Sequence, residues 1–153
     1  KHILTVIVSQ VRYGWEYIVN RAQLNASSKV KDHLARCGSS PVKLSSNVVS
    51  YWWTVLNIAI FSGKLPKLHK VELTAHEHEH AWAFPLTTNK ITLSIQPHFS
   101  SRTLFLEVLV HEMVHAWEHY RGFPLSHGKR FMSFSQRIKD RIGLTLDVTL
   151  RDE

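Results

Sequence analysis

His111, Glu112 and His115 form a His-Glu-x-x-His pattern inside the apolar stretch 106–117. Four residues make about one α-helical turn, so the two imidazoles would leave one face and can share a metal ion. Glu112 directly follows the first of them, and its carboxylate can reach a water at that ion. Two histidine ligands beside a glutamate general base are the arrangement of zinc hydrolases. The expected chemistry is hydrolysis by a metal-activated water, with Glu112 moving the proton.

The pattern occurs twice, because His76-Glu77-His78-Glu79-His80 also matches it. That copy lies between segments that alternate polar and apolar residues, with Pro85 close behind. On a strand, residues four apart are separated by ~13 Å and cannot chelate one ion together. It reads as a strand edge or loop near the cleft, with a second metal site or a substrate-contacting rim as the other reading. Only 111–115 has the apolar helical setting that the chemistry needs.

A catalytic zinc usually takes three protein ligands and leaves a position for water. The third is expected to be His127. In the following helix His127, Phe131, Phe134, Ile138 and Ile142 share one face, so His127 points where the apolar residues point. The other reading of His127 is a hydrogen-bonded histidine at a helix start. A metzincin pattern would need glycine at position 118 and histidine at 121, where Glu118 and Arg121 stand. Glu118 reads as a solvated carboxylate or one behind the ligands, and His119 as a rim residue. His2, His33, His69 and His98 read as surface residues, and nothing in the sequence assigns a role to Tyr120.

Several elements must position these residues. Leu4, Val8, Val11, Trp15, Ile18 and Ala22 recur at helical spacing, so an amphipathic helix is expected over 3–23. Asn25-Ala26-Ser27-Ser28 is expected to break it, and a short helix to follow over 29–37, stopped by Gly38. Ser45 or Ser46 can cap a buried helix running to Phe61, with apolar stripes through Val48, Trp52, Val55 and Ala59 and through Val49, Trp53, Leu56 and Ile60. The period then changes to two around Val71, Trp82 and Ile91, which predicts three short strands. Their short connections suggest an antiparallel sheet. Ser100 or Ser101 caps the motif helix, about 102–121, apolar nearly all round and so central to its domain. A further helix spans 126–142, and Leu144, Leu146, Val148 and Leu150 suggest a terminal strand. The expected fold is α+β: a small three-stranded antiparallel sheet packed on a central His-Glu-x-x-His helix, with flanking helices.

The 153 residues most plainly form one domain, 1–153, with 1–40 as a helical N-terminal extension and 43–143 as the core. One cysteine, Cys37, excludes an internal disulfide and a cysteine-rich zinc ribbon in this chain, and favours a cytoplasmic or other reducing compartment, the nucleus if eukaryotic. No apolar run approaches the ~20 residues that span a bilayer, so no membrane partner is expected. Residues 1–11 only faintly suggest a signal segment, and with no Met at position 1 the chain reads as trimmed. The net charge of +7 favours anionic partners, nucleic acid first. Lys129, Arg130, Arg137, Lys139 and Arg141 mark a candidate DNA surface around the last helix, with Lys64, Lys67 and Lys70 near the sheet. A solvated charged face explains the same residues.

His111-Glu112-Met113-Val114-His115-Ala116-Trp117 followed by His127-Gly128-x-x-Phe131 resembles the SprT-like zinc metallopeptidases, the family of bacterial SprT and eukaryotic Spartan. Leu56-Asn57-x-x-Ile60-Phe61-x-Gly63-Lys64-Leu65-Pro66 resembles the family's segment before its first strand, and Ile91-x-Leu93-Ser94 its strand leading to the active-site helix. The resemblance covers roughly residues 48–135. It implies a minigluzincin-like core, zinc on His111, His115 and His127, Glu112 as base, and proteolysis of proteins bound or crosslinked to DNA. The chain departs from the family in showing neither a bacterial-type C-terminal zinc ribbon nor a Spartan-type partner-binding tail. The competing expectation is a non-catalytic structural or DNA-binding protein with zinc as a staple. An intact Glu112 argues against it, since a structural site has no use for a base.

Overall fold

The computed structural model describes residues 2–75, 81–87 and 90–146, without the side chains of 2–13 and 81–87. The second motif copy, His76–His80, therefore lies outside the described residues, as do Val148 and Leu150 of the expected terminal strand. Leu144 and Leu146 are described; they are buried but form no strand.

The fold is α+β. Helix α1 (His2–Cys37) leads through the two-residue strand β1 (Val42–Lys43) to α2 (Ser46–Phe61). Strands β2 (Leu68–Leu73), β3 (Ala81–Thr87) and β4 (Lys90–Ile95) come next, then the short β5 (His98–Phe99), the motif helix α3 (Arg102–Tyr120), α4 (Lys129–Met132) and α5 (Ser135–Ile142).

The expected break at 25–28 does not occur: α1 is one helix of 36 residues. The segment contains no glycine or proline, and Asn and Ser cost only tenths of a kcal/mol each in a helix. Ala26, Ser27 and Val30 are buried, and α1 packs along α2, so tertiary contact outweighs the weak local preference. The inward stripe expected through Trp15 and Ile18 fails as well, since these side chains are 68% and 59% exposed. Among the described side chains of α1, those buried in the core are Ala26 and Val30, in its second half. His33, expected at the surface, is half-buried, its ring 4.5 Å from that of Trp52.

The three-stranded sheet has the order β2-β4-β3, with β3–β4 antiparallel and β2–β4 parallel, so the expected all-antiparallel sheet is corrected to a mixed one. The short β3–β4 connection does enforce an antiparallel pair. In β4, however, Ile91, Thr92, Leu93, Ser94 and Ile95 are all buried, the pattern of a strand covered on both faces. It takes the central place, and β2 pairs with its remaining edge. A second sheet, β1 with β5, was not foreseen; two residues per strand are too few to show a period.

Helix α2 starts and ends as its sequence suggests. Ser45 caps it, its hydroxyl accepting from the Val48 N–H at 3.3 Å, and Ser62 leaves it in a left-handed conformation with φ 56°. Trp52 and Trp53 are both in the core. Asn57 is buried and locks the turn that follows: its amide donates to the Leu65 carbonyl at 2.8 Å and accepts from the Leu65 N–H at 3.1 Å. The Trp53 indole N–H donates to Pro66 O at 3.0 Å. The Asn57…Leu65-Pro66 spacing is thus a side-chain clamp on the exit from α2.

Three contacts anchor the start of α3. Ser101 caps it by accepting from the Leu104 N–H at 3.0 Å. The Arg102 N–H donates to Ser40 O at 2.9 Å, and Thr103 donates to Gly38 O through both its N–H and its hydroxyl. A Cβ at position 38 would stand 2.5 Å from Leu34 O and 2.8 Å from Thr103 Oγ1, so this junction of α1 with α3 needs glycine. The motif helix is therefore held at its origin by the loop after α1 and along its length by the core.

Candidate metal centre

On α3, Phe105, Leu106, Leu109, Val110, Met113 and Val114 are all buried, leaving the helix no freedom to rotate. His111 and His115 are buried with it and face the same way. Gly122, at φ 75°, turns the chain, and the Phe123 N–H donates to Glu118 O at 2.9 Å. This tight exit returns the chain along α3 and brings His127 to the pair.

The expected helix over 126–142 begins only at Lys129, which leaves His127 in the loop before it, and is two pieces, α4 and α5, joined through Ser133 and Phe134. The Phe134 N–H bonds three residues back to Phe131 O, and the Ser133 hydroxyl takes the Arg130 carbonyl at 2.6 Å, tightening the backbone there. The apolar face holds across the junction, since Phe131, Phe134, Ile138 and Ile142 are all buried.

The three imidazoles converge through their Nε2 atoms. His111 and His115 are 3.2 Å apart, His115 and His127 3.1 Å, and His111 and His127 3.3 Å. An ion bound tetrahedrally at the usual metal–nitrogen length would have ligand nitrogens about 3.3–3.4 Å apart. The triangle of nitrogens has nearly the size of one face of that tetrahedron, so these histidines lie close enough to hold a metal ion. Phe131 backs the triad, its ring centroid 4.9 Å from those of His111 and His115 and 5.0 Å from that of His127. The Phe of His127-Gly128-x-x-Phe131 is thus a post against which the three imidazoles rest.

Glu118, which the sequence leaves between solvent and a place behind the ligands, is fully buried. Its Oε1 lies 2.9 Å from His115 Nδ1, and its Oε2 accepts from the Ser126 hydroxyl at 3.5 Å. With Nδ1–H donating to the carboxylate, Nε2 of His115 presents its lone pair to the centre. Burial pushes the Glu118 carboxyl above its usual range, while hydrogen bonds from Ser126 and the Arg130 charge oppose the shift. A cation held by His115 would favour the ionised form, so the carboxylate itself fits an occupied metal site. The signal was present in the sequence as the i, i+3 spacing, but burial decides it. Glu118→Gln is expected to keep the fold and lower metal affinity about 10-fold. A competition titration against a chromophoric chelator measures this, and unchanged affinity would remove Glu118 from the centre.

Glu112 is also buried, one residue after the first ligand. His119 is exposed, as expected of a rim residue. The Tyr120 hydroxyl is buried without a hydrogen-bond partner among the described residues. The basic residues of the last helices divide by role. Lys129 and Lys139 are exposed, and the Arg130 guanidinium lies 3.8 Å over the Phe123 ring. Arg137 and Arg141 turn back to α2, donating to Ile60 O at 3.4 Å and Ala59 O at 2.9 Å, and so cap its last turn.

No protein-family model matches the chain, and comparison with curated proteins finds no match. Among the described residues, no helix is long and apolar enough to cross a membrane.

Proposed function

We propose that this protein is a zinc-dependent peptidase of the SprT-like kind, with a minigluzincin-like core, His111, His115 and His127 as metal ligands and Glu112 as general base. The observation that carries the reading is the convergence of three Nε2 atoms within 3.1–3.3 Å of one another, two of them from the helix that also carries Glu112. Three imidazoles are a hydrolytic zinc ligand set, which keeps a position open. The central motif helix lies against a small sheet and is flanked by α1, α2 and α4, which supports the minigluzincin-like reading.

Bound at this triad, zinc supplies Lewis acidity toward water and a scissile carbonyl. The chain's own residues do the rest. Glu112, as the carboxylate, takes a proton from the attacking water as the new C–O bond forms, and returns it to the amide nitrogen as the C–N bond breaks. His115 is held in one tautomer by Glu118, and Phe131 fixes the ring planes. The substrate class is protein, with DNA-bound proteins favoured by the net charge of +7.

The test incubates zinc-loaded chain with casein and with a DNA-bound protein, each with and without DNA. Fragments should appear, vanish on chelation and return with zinc. A chain that holds one metal ion yet cuts nothing under any condition would instead be a metal-stapled structural protein.

A further inference from the structure

On the far side of α3 from the imidazoles lies a second feature that the peptidase reading does not use. Trp117 is two residues past His115, which turns it about 200° around the helix. It opens on a cleft of about 450 Å³ between the ends of α2 and α3 and the start of α5. Phe61, Trp117 and Phe134 line its apolar part, with ring centroids 5.3 Å apart for Phe61–Phe134 and 4.8 Å for Trp117–Phe134. Lys64, Arg121, Arg137 and Arg141 also line it, and among the described residues no carboxylate does. Among the described residues, none of these four cations is in an ion pair.

Four positive charges around one concavity, without ion pairs among the described residues, repel one another, so something in the fold must hold them there. Arg141 and Arg137 are tied to the carbonyls that end α2. The Arg137 guanidinium also lies 5.0 Å over the Phe134 ring, and that of Arg121 5.7 Å over Trp117. Capping α2 accounts for one N–H of each capping arginine, and a guanidinium has five. It accounts for neither Lys64 nor Arg121, nor for the open volume. Desolvation and the neighbouring Arg137 both disfavour the charged form of Arg141, a stress that a bound anion would relieve.

We propose that this cleft binds a ligand carrying adjacent phosphate groups. Guanidinium planes match phosphate oxygens two at a time, and preorganised arginines lose little side-chain freedom on binding. The volume exceeds one phosphate and lies in the range of small-ligand sites. A nucleotide with a phosphate chain and a nucleic-acid strand share this chemistry. The proposal rests on neither the metal nor Glu112.

The test titrates the 153-residue chain, with and without added zinc, with ADP and with a single-stranded decanucleotide at fixed low salt. Backbone amide shifts of the wild type should move at Ser62, Arg121 and Ser133. The Lys64→Gln/Arg121→Gln pair should weaken binding about tenfold, and the Lys31→Gln/Lys43→Gln pair, with the same change in charge outside the cleft, by less than about twofold. Saturation by ADP with no tighter binding of the decanucleotide supports the site and makes it a nucleotide site. Tighter decanucleotide binding displaced by ADP supports it as a strand site. Equal losses in the two pairs would reduce the effect to overall charge and overturn the proposal, as would shifts confined to residues elsewhere or binding of neither probe.

Discussion

Glu112→Gln is expected to leave one metal ion per chain and to lower the peptidase kcat/KM about 10²–10⁴-fold. Gln has nearly the volume of Glu, so the buried site at position 112 keeps its packing. None of His111, His115 and His127 is altered, so the metal should remain. What disappears is the proton acceptor, because an amide cannot take a proton from water and pass it to a leaving amine. Metal analysis beside a cleavage assay separates the outcomes. A Gln variant with wild-type activity would move the base elsewhere. Loss of metal together with activity would instead give Glu112 a part in building the site.

His127→Ala should lower metal affinity by more than the about 10–100-fold typical of losing an outer partner, while leaving the metal-free protein as stable as before. The second half of that expectation comes from exposure. Unlike His111 and His115, His127 is at the surface, so its removal opens no cavity in the core. The rise in Tm expected of metal in the wild type should largely vanish in the variant, since a ligand's stabilisation grows as the logarithm of its concentration over Kd and disappears once Kd exceeds that concentration. His115→Ala provides the contrast. It would remove the imidazole hydrogen bond of the buried Glu118 carboxyl, at a cost of about 1–3 kcal/mol, so the metal-free fold should suffer too. If His127→Ala kept full metal occupancy against a competing chelator, the third ligand would have to come from another residue.

How much of this could be read beforehand varies by element. The motif helix, its Ser101 cap and the face shared by Phe131, Phe134, Ile138 and Ile142 are local matters of period and capping, and they appear where the pattern places them. The Ser45 cap and the burial of Trp52 and Trp53 follow in the same way. The break at 25–28 failed because it weighed propensities of tenths of a kcal/mol against burial of Ala26 and Val30 on a neighbouring helix, which no local window contains. Trp15 and Ile18 failed for the opposite reason: helical spacing shows that a face exists, not that anything covers it.

Which atoms could hold a metal is legible from the order of residues along the chain. The His111–His115 spacing on an apolar helix is a one-turn relation, and the face of the following helix indicated His127. Tertiary structure decided that the three nitrogens meet within 3.3 Å, because that depends on how Gly122 and the turn after it return the chain. It also turned Glu118 from a choice between solvent and the site into a buried partner of His115, and made Phe131 the common wall of three rings. The parallel pairing of β2 with β4 and the cationic cleft behind α3 belong to the same class. Helical period is set between neighbours in the chain; these features are set by which distant surfaces exclude water together, and only the folded arrangement fixes that.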